Sequence, residues 1–197
     1  MLQKILQKTQ ILFHNRFRDI SKLIIWGDLM NSISTLQYKL VSTPNQLKLV
    51  HVMAEQIWHE YYTNIIGREQ VVYLLQKYQT VKALEDQVSQ GYRYELVLHD
   101  STPIGYISTL QNLDHLYISK LYLIKEARKK GFARQMMTYI ENQAKQLSLS
   151  QIQLNVNKHN HHTIEVYKHF GFSIIKEVKI DIGSGFYLDD YVMAKSI

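Results

Sequence analysis

Arg128-Lys129-Lys130-Gly131-Phe132-Ala133 sets three cations and a glycine between an apolar, strand-like run and an amphipathic helix pattern, with Arg134 adding a fourth charge. The chemistry such a segment can do is anion binding. Glycine lets a ligand approach the backbone closely, and the first turn of a helix offers N–H groups that no helical carbonyl accepts. The positive end of the helix dipole favours whatever anion arrives, and a diphosphate suits the number of donors. A glycine among lysines and arginines is by itself only a solvated loop, so the flanks decide. Residues 117–124 carry apolar side chains on both faces, as a strand buried on both sides does. From Phe132 onward, Met136, Ile140, Ala144 and Leu147 recur at helical spacing, with Arg134, Glu141, Asn142 and Lys145 elsewhere on the wheel.

The elements that must hold this turn are legible along most of the chain. A short strand is expected at 37–41. Thr43-Pro44-Asn45-Gln46 then supplies a capping hydroxyl, a proline at the first helical position and a glutamine at the third, which predicts a helix to about residue 61. Further helical stretches are expected at 68–78 and 80–88, with Gly91 closing the region. Alternation predicts strands at 92–98 and 104–110, a third strand at 116–124, the helix 132–147, a strand at 151–156, a short helix at 163–170, and a hairpin of 172–182 with 186–193 turned at Gly183-Ser184-Gly185. Residues 1–36 read as a separate N-terminal helical extension, and 37–197 as one α/β domain. Its sheet is mixed and mainly antiparallel, about seven strands flanked by helices.

Composition narrows the function classes. The chain of 197 residues has no cysteine, which removes disulfides, thiolate zinc sites and a cysteine nucleophile, and is compatible with the cytoplasm. No apolar run is long enough to cross a bilayer, so no membrane partner is expected. Half of the net charge of +6 lies in residues 1–36, and no basic stripe interleaves with aromatics, so no nucleic-acid partner is expected either. His159, His161, His162 and His169 lie close together, but one short helix lacks the wider ligand set a metal needs, and no metal is assigned. Gly183-Ser184-Gly185 lacks the spacing of a dinucleotide fingerprint.

With this element order, the chain resembles the GNAT superfamily of acyl-CoA-dependent N-acetyltransferases over roughly residues 37–197. Arg128-x-x-Gly131-x-Ala133 is similar to that family's pyrophosphate loop, and Leu121-Tyr122-Leu123 to the strand end that offers main-chain groups to pantetheine and the acetyl carbonyl. Asn160-x-x-Thr163-Ile164-x-x-Tyr167-x-x-x-Gly171-Phe172 resembles a third family segment, with Thr163 in place of alanine. The resemblance implies acetyl-CoA as co-substrate, held by Leu121, Tyr122, Leu123, Arg128, Lys129, Lys130, Gly131, Phe132, Ala133, Arg134 and Asn160. It also implies direct attack of an amine on the thioester.

On that resemblance Tyr167 is the expected general acid, since a phenol of pKa about 10 can protonate a departing thiolate of similar basicity. A core tyrosine is its structural alternative, and helix capping is the alternative for Asn160. The run 58–62 and the hairpin segment 186–191 fall where the resemblance puts the acceptor pocket. Their aromatics and acids, Glu60, Tyr61 and Asp190 among them, suit a small amine or polyamine. The strand before the loop offers Tyr117, Ser119 and Lys120 rather than a carboxylate, so no general base is assigned; a water chain to Glu60 is one route. A non-catalytic acyl-CoA-binding module and an acetyltransferase of protein amino groups stay open as alternatives, and so does a homodimer.

Overall fold

The computed structural model describes residues 35–197; apart from Thr35 and Leu36, the expected N-terminal extension lies outside the described residues. Helix α1 (Pro44–Tyr61) opens as the sequence predicts. The Thr43 hydroxyl accepts from the Gln46 amide at 3.4 Å, and the Gln46 side chain accepts from the Thr43 amide at 3.0 Å. There follow α2 (Thr63–Ile66), a single turn that the sequence reading lacks, then α3 (Arg68–Tyr78) and α4 (Val81–Ser89). Helices α5 (Phe132–Gln146) and α6 (His161–His169) lie among the later strands.

The strands are β1 (Gln37–Leu40), β2 (Arg93–His99), β3 (Thr102–Gln111), β4 (Leu116–Leu123), β5 (Gln151–Asn157), β6 (Ser173–Gly183) and β7 (Phe186–Ser196). They form one sheet in the order β1-β2-β3-β4-β5-β7-β6, antiparallel throughout except for β4 and β5. Alternation divides the apolar residues between two faces. Leu96 and Tyr106 pack with Val50, Ala54, Ile57, Val71, Leu75 and Leu84 of α1, α3 and α4. Their neighbours Val97 and Ile107 pack with Met136, Ile140, Ile164 and Tyr167 of α5 and α6, and Leu36 joins this second core.

Two irregularities open the sheet where a site can form. The β3–β4 register shifts between Ser108 and Thr109, so Ser119 is the extra residue of a bulge between the pairs Ser108↔Lys120 and Thr109↔Ile118. The bulge reverses the alternation. Leu116 and Ile118 before it, and Leu121 and Leu123 after it, all face the α5–α6 core, whereas Tyr122 packs on the α1 side. Bulges sharpen local twist and end pairing. Correspondingly, β4 pairs with β5 only over Leu116–Ile118, while β5 pairs with β7 along its whole length. On their β5 side, residues 119–123 of β4 therefore border a gap between diverging strands, while Lys120–Leu123 stay paired with β3.

Candidate active site

Beyond β4 a 3-10 turn (Lys125–Ala127), which the sequence reading lacks, buries Ala127 and swings the chain into the basic loop. Lys129 and Gly131 have φ of +61° and +80°, with Lys130 between them outside the left-handed region. This alternation turns successive amides to one side as an anion-binding nest. Gly131 is the N-cap of α5 and brings no side-chain cap. The amides of Lys129, Lys130, Gly131, Phe132 and Ala133 find no protein acceptor among the described residues, and the first helical bond runs from Arg134 to the Gly131 carbonyl. Five consecutive free donors fit a diphosphate. A Cβ on Gly131 would meet nothing within 4 Å, so glycine is required there by its φ, and the space beside it is open.

The side chains of the loop divide their work. Lys129, Lys130 and Arg134 are exposed, and the Arg134 guanidinium carbon lies 5.9 Å from the centre of the Phe170 ring. Phe132 is buried, 4.8 Å ring to ring from His99, so only its amide reaches the nest; Ala133 is half-buried. Arg128 turns inward. Its Nε donates to the Leu123 carbonyl at 3.0 Å, its Nη2 pairs with Glu60 at 2.7 Å, and its guanidinium lies 5.1 Å from the centre of the Tyr61 ring. Arg128 thus ties the ends of β4 and α1 together. The same pair occupies the Glu60 carboxylate, which weighs against the water-chain route to that residue.

Tyr61 links α1 to α6. Its hydroxyl donates to Asn160 Oδ1 at 3.0 Å and sits 3.0 Å from Thr163 Oγ1. Asn160, buried, also caps α6 through the Thr163 amide at 3.4 Å, and among the described residues its side-chain amide nitrogen donates to no protein group. Both readings of Asn160 are therefore compatible with its position. The Thr163 hydroxyl is used too, which the motif alone did not signal.

Tyr167 packs in the α5–α6 core, its ring 5.6 Å from Phe172, yet its electrostatic neighbours are Tyr62, Tyr117 and Tyr61 from the other side of the splay. Burial, then those phenols, push its pKa well above the ordinary tyrosine value. The phenol therefore stays protonated at every working pH, and its acidity is less matched to a thiolate than that of an unperturbed phenol. Tyr62 stacks on Trp58 at 4.6 Å and meets Tyr122 edge-on at 6.1 Å. Desolvation raises both Tyr62 and Tyr117 to about 12, and Asp190 contributes to each. Asp190, on β7 opposite Asn157, is buried; desolvation first, then Asp189, raise its carboxyl to about 6, with Asn157 and Lys158 pulling the other way. Acid and phenols thus lie within electrostatic reach of one another, brought together from α1, β4, α6 and β7.

The far wall is latched. From α3, the Tyr73 hydroxyl and Lys77 Nζ (2.6 Å) donate to the Ile182 carbonyl, and Gln70 Nε2 donates to the Tyr187 carbonyl at 2.7 Å. Together they hold the β6–β7 hairpin against the helices. Lys120, named in the sequence only as a non-carboxylate of the strand, is buried between the rings of Tyr92 and Tyr94 and donates to Gln87 Oε1 and Ser119 Oγ at 3.2 and 2.8 Å. Burial pulls its pKa down to about 8. Among the described residues, no group of three or more His, Asp or Glu is placed to hold a metal, and His169 bonds the Glu165 carbonyl.

Residues 52–172 match the model of the Acetyltransferase (GNAT) family. Solved structures share the fold. PaiA N-acetyltransferase from Thermoplasma acidophilum, in complex with coenzyme A, superposes with a TM-score of 0.69 at 18% identity, covering 83% of this chain and 99% of that one. A spermidine N-acetyltransferase SpeG chimera from Vibrio cholerae and hSSAT gives 0.63 at 20%, covering 83% and 96%. The ribosomal-protein-S18-alanine N-acetyltransferase of Escherichia coli gives 0.62 at 13%, covering 83% and 94%. No curated protein sequence matches the chain.

Proposed function

The chain belongs to the GNAT family of acetyl-CoA-dependent N-acetyltransferases, and from that premise we propose that it acetylates a small primary amine, a diamine or polyamine in particular, with Tyr167 as general acid. The single observation that carries the reading is the run of five amides from Lys129 to Ala133 that find no protein acceptor among the described residues. In this reading the nest, with Lys129, Lys130 and Arg134 around it, holds the diphosphate. The unpaired edge of Leu121, Tyr122 and Leu123 receives the pantetheine arm and polarises the acetyl carbonyl, and Asn160 donates to pantetheine. When bound, acetyl-CoA supplies the activated acetyl group; the protein supplies orientation, a dry cleft and the proton for the leaving sulfur.

Two features favour a small cationic acceptor over a protein one. Tyr61, Tyr62, Tyr117 and Asp190 gather phenols and a carboxylate at the acceptor end, which suits an ammonium group. The latch from α3 fixes the β6–β7 hairpin against the helices, which in this reading disfavours the open groove that a polypeptide acceptor would need. Among the fold's relatives one solved structure is a spermidine acetyltransferase and another acts on ribosomal-protein alanine, so the fold serves both kinds of acceptor. We assign the enzyme to the cytoplasm, with which a chain without cysteine is compatible. Among the described residues no helix is long and apolar enough to cross a membrane. The outer edge of β6, with Ile174, Ile175 and Ile180 exposed, is where a homodimer would form.

The test is an acceptor screen following free thiol release from acetyl-CoA, run on the protein and on Tyr167→Phe. Turnover with di- and polyamines, a loss of about 10²-fold or more in the variant, and unchanged heat of coenzyme A binding are expected. Turnover only on peptide amines would remove the small-amine assignment. A protein that binds coenzyme A but transfers acetyl to nothing would be a regulatory module instead.

A further inference from the structure

We propose that Asp190 is the general base of this enzyme, the group that takes a proton from the acceptor ammonium inside the cleft; the assignment rests on the acetyl-transfer reading above. The strand that borders the reacting end presents Tyr117, Ser119 and Lys120 and no carboxylate. Glu60 is bound to Arg128 at 2.7 Å. Two carboxylates are buried among the described residues, Glu95 and Asp190. Glu95 is spent on Arg93, Tyr139 and Gln143 at 2.7 to 2.9 Å. Asp190, 9% exposed, forms no ion pair among the described residues, whereas its neighbour Asp189 takes Lys158 at 2.8 Å.

The position fits the role. Asp190 is an electrostatic neighbour of Tyr62 and Tyr117, and both of these are neighbours of Tyr167. A base on β7 and an acid on α6 therefore flank the same phenol-lined space. The groups that face Asp190 are Tyr62 from the α1–α2 junction, Tyr117 from β4, Asn157 from β5, Lys158 just after it, and Asp189 along β7. Without a cationic partner, a buried carboxylate binds a proton more readily than one in water. Such a group is basic enough to accept from an ammonium held against it and is still ionised at neutral pH.

The proton accounting closes. An ammonium N–H gives its proton to a carboxylate oxygen of Asp190, and the freed nitrogen lone pair forms the bond to the thioester carbonyl carbon. The C–S bond then breaks, its electron pair leaves on sulfur, and sulfur takes the phenolic proton of Tyr167. The phenolate recovers a proton from the new amide nitrogen. Asp190 returns its proton to water, so one proton is released per turnover.

The test compares the full chain with Asp190→Asn. Expected for the variant are a fall in kcat of about 10²-fold or more, coenzyme A binding heat unchanged, and no acidic limb of kcat near pH 6, a limb expected of the parent. The deficit should shrink several-fold for a weakly basic acceptor amine that arrives neutral. The melting temperature at pH 7 should rise, because an uncompensated buried charge is removed. Carbon-detected NMR titration of the unmutated protein, with Asp190 assigned by its absence in the variant, gives a readout independent of turnover and of the variant's folding. A variant with kcat within threefold of the parent, a change in KM alone, or a carboxyl titrating below pH 4.5 would each overturn the base assignment. A parent protein that transfers acetyl to no amine would overturn the acetyl-transfer reading itself, and this proposal with it.

Discussion

At Gly131 the requirement for glycine is conformational rather than steric. With φ at +80° and open space beside it, a methyl group would strain the backbone by about 1–2 kcal/mol and project towards the ligand. Gly131→Ala is expected to fold, to lose a few degrees of melting temperature, and to bind coenzyme A about tenfold or more weakly by calorimetry. An unchanged affinity would mean that the amides are not the anchor. Asp190 shows the opposite economy at a single residue. Its folded pKa of about 6 stands above the ordinary 3.8, so the folded state holds the proton more readily, and this contribution to stability is lost as pH rises from 4 to 6. At neutral pH the ionised acid costs stability, on the order of 1–3 kcal/mol, and the rise in melting temperature of Asp190→Asn follows from that. The motif residues around Gly131 were legible in the sequence because spacing alone sets them. The inward turn of Arg128 was not, because its partners Leu123 and Glu60 come from β4 and α1.

Among the elements, the β6–β7 hairpin is held against the helices by three donors from α3. Tyr73→Phe combined with Lys77→Met removes both bonds to the Ile182 carbonyl and leaves the strands themselves intact. Hydrogen exchange of residues 181–188 is then expected to accelerate about tenfold or more, since the hairpin opens without unfolding the sheet. The KM for a small amine should rise several-fold, while coenzyme A affinity stays constant. If exchange rates do not change, the latch is not what holds the hairpin. Most elements were readable one at a time. The capping box of α1, the alternation of β2 and the Gly-Ser-Gly turn each carry their own local signal. The single turn α2 and the 3-10 turn Lys125–Ala127 carry none, as each is too short to show a period. The bulge at Ser119 also escapes, because the chain only shows that residues 117–124 are apolar on both sides; which face each takes depends on the register with β3.

For the whole molecule, buried ionisable groups set how stability follows pH. Lys120 has its pKa drawn from 10.5 down to about 8, so the unfolded chain binds more protons between these values, and stability rises with pH through that window. Above pH 10 the buried tyrosines, all raised, reverse the trend as the unfolded phenols ionise first. A melting temperature that climbs from pH 8 to pH 10 is expected, and Lys120→Met should flatten the climb. An equal climb in the variant would mean that another group is responsible. The sequence by itself determined the α/β layering, the limits of most strands and helices and the basic glycine turn, because periodicity, caps and turn residues are properties of neighbours along the chain. Only the tertiary structure decided that β4 leaves β5 after Ile118, that Glu60 belongs to Arg128, and that Asp190 is buried beside Tyr62 and Tyr117. Strand order, register and desolvation depend on which distant segments meet, and a residue's spacing in the chain does not record that.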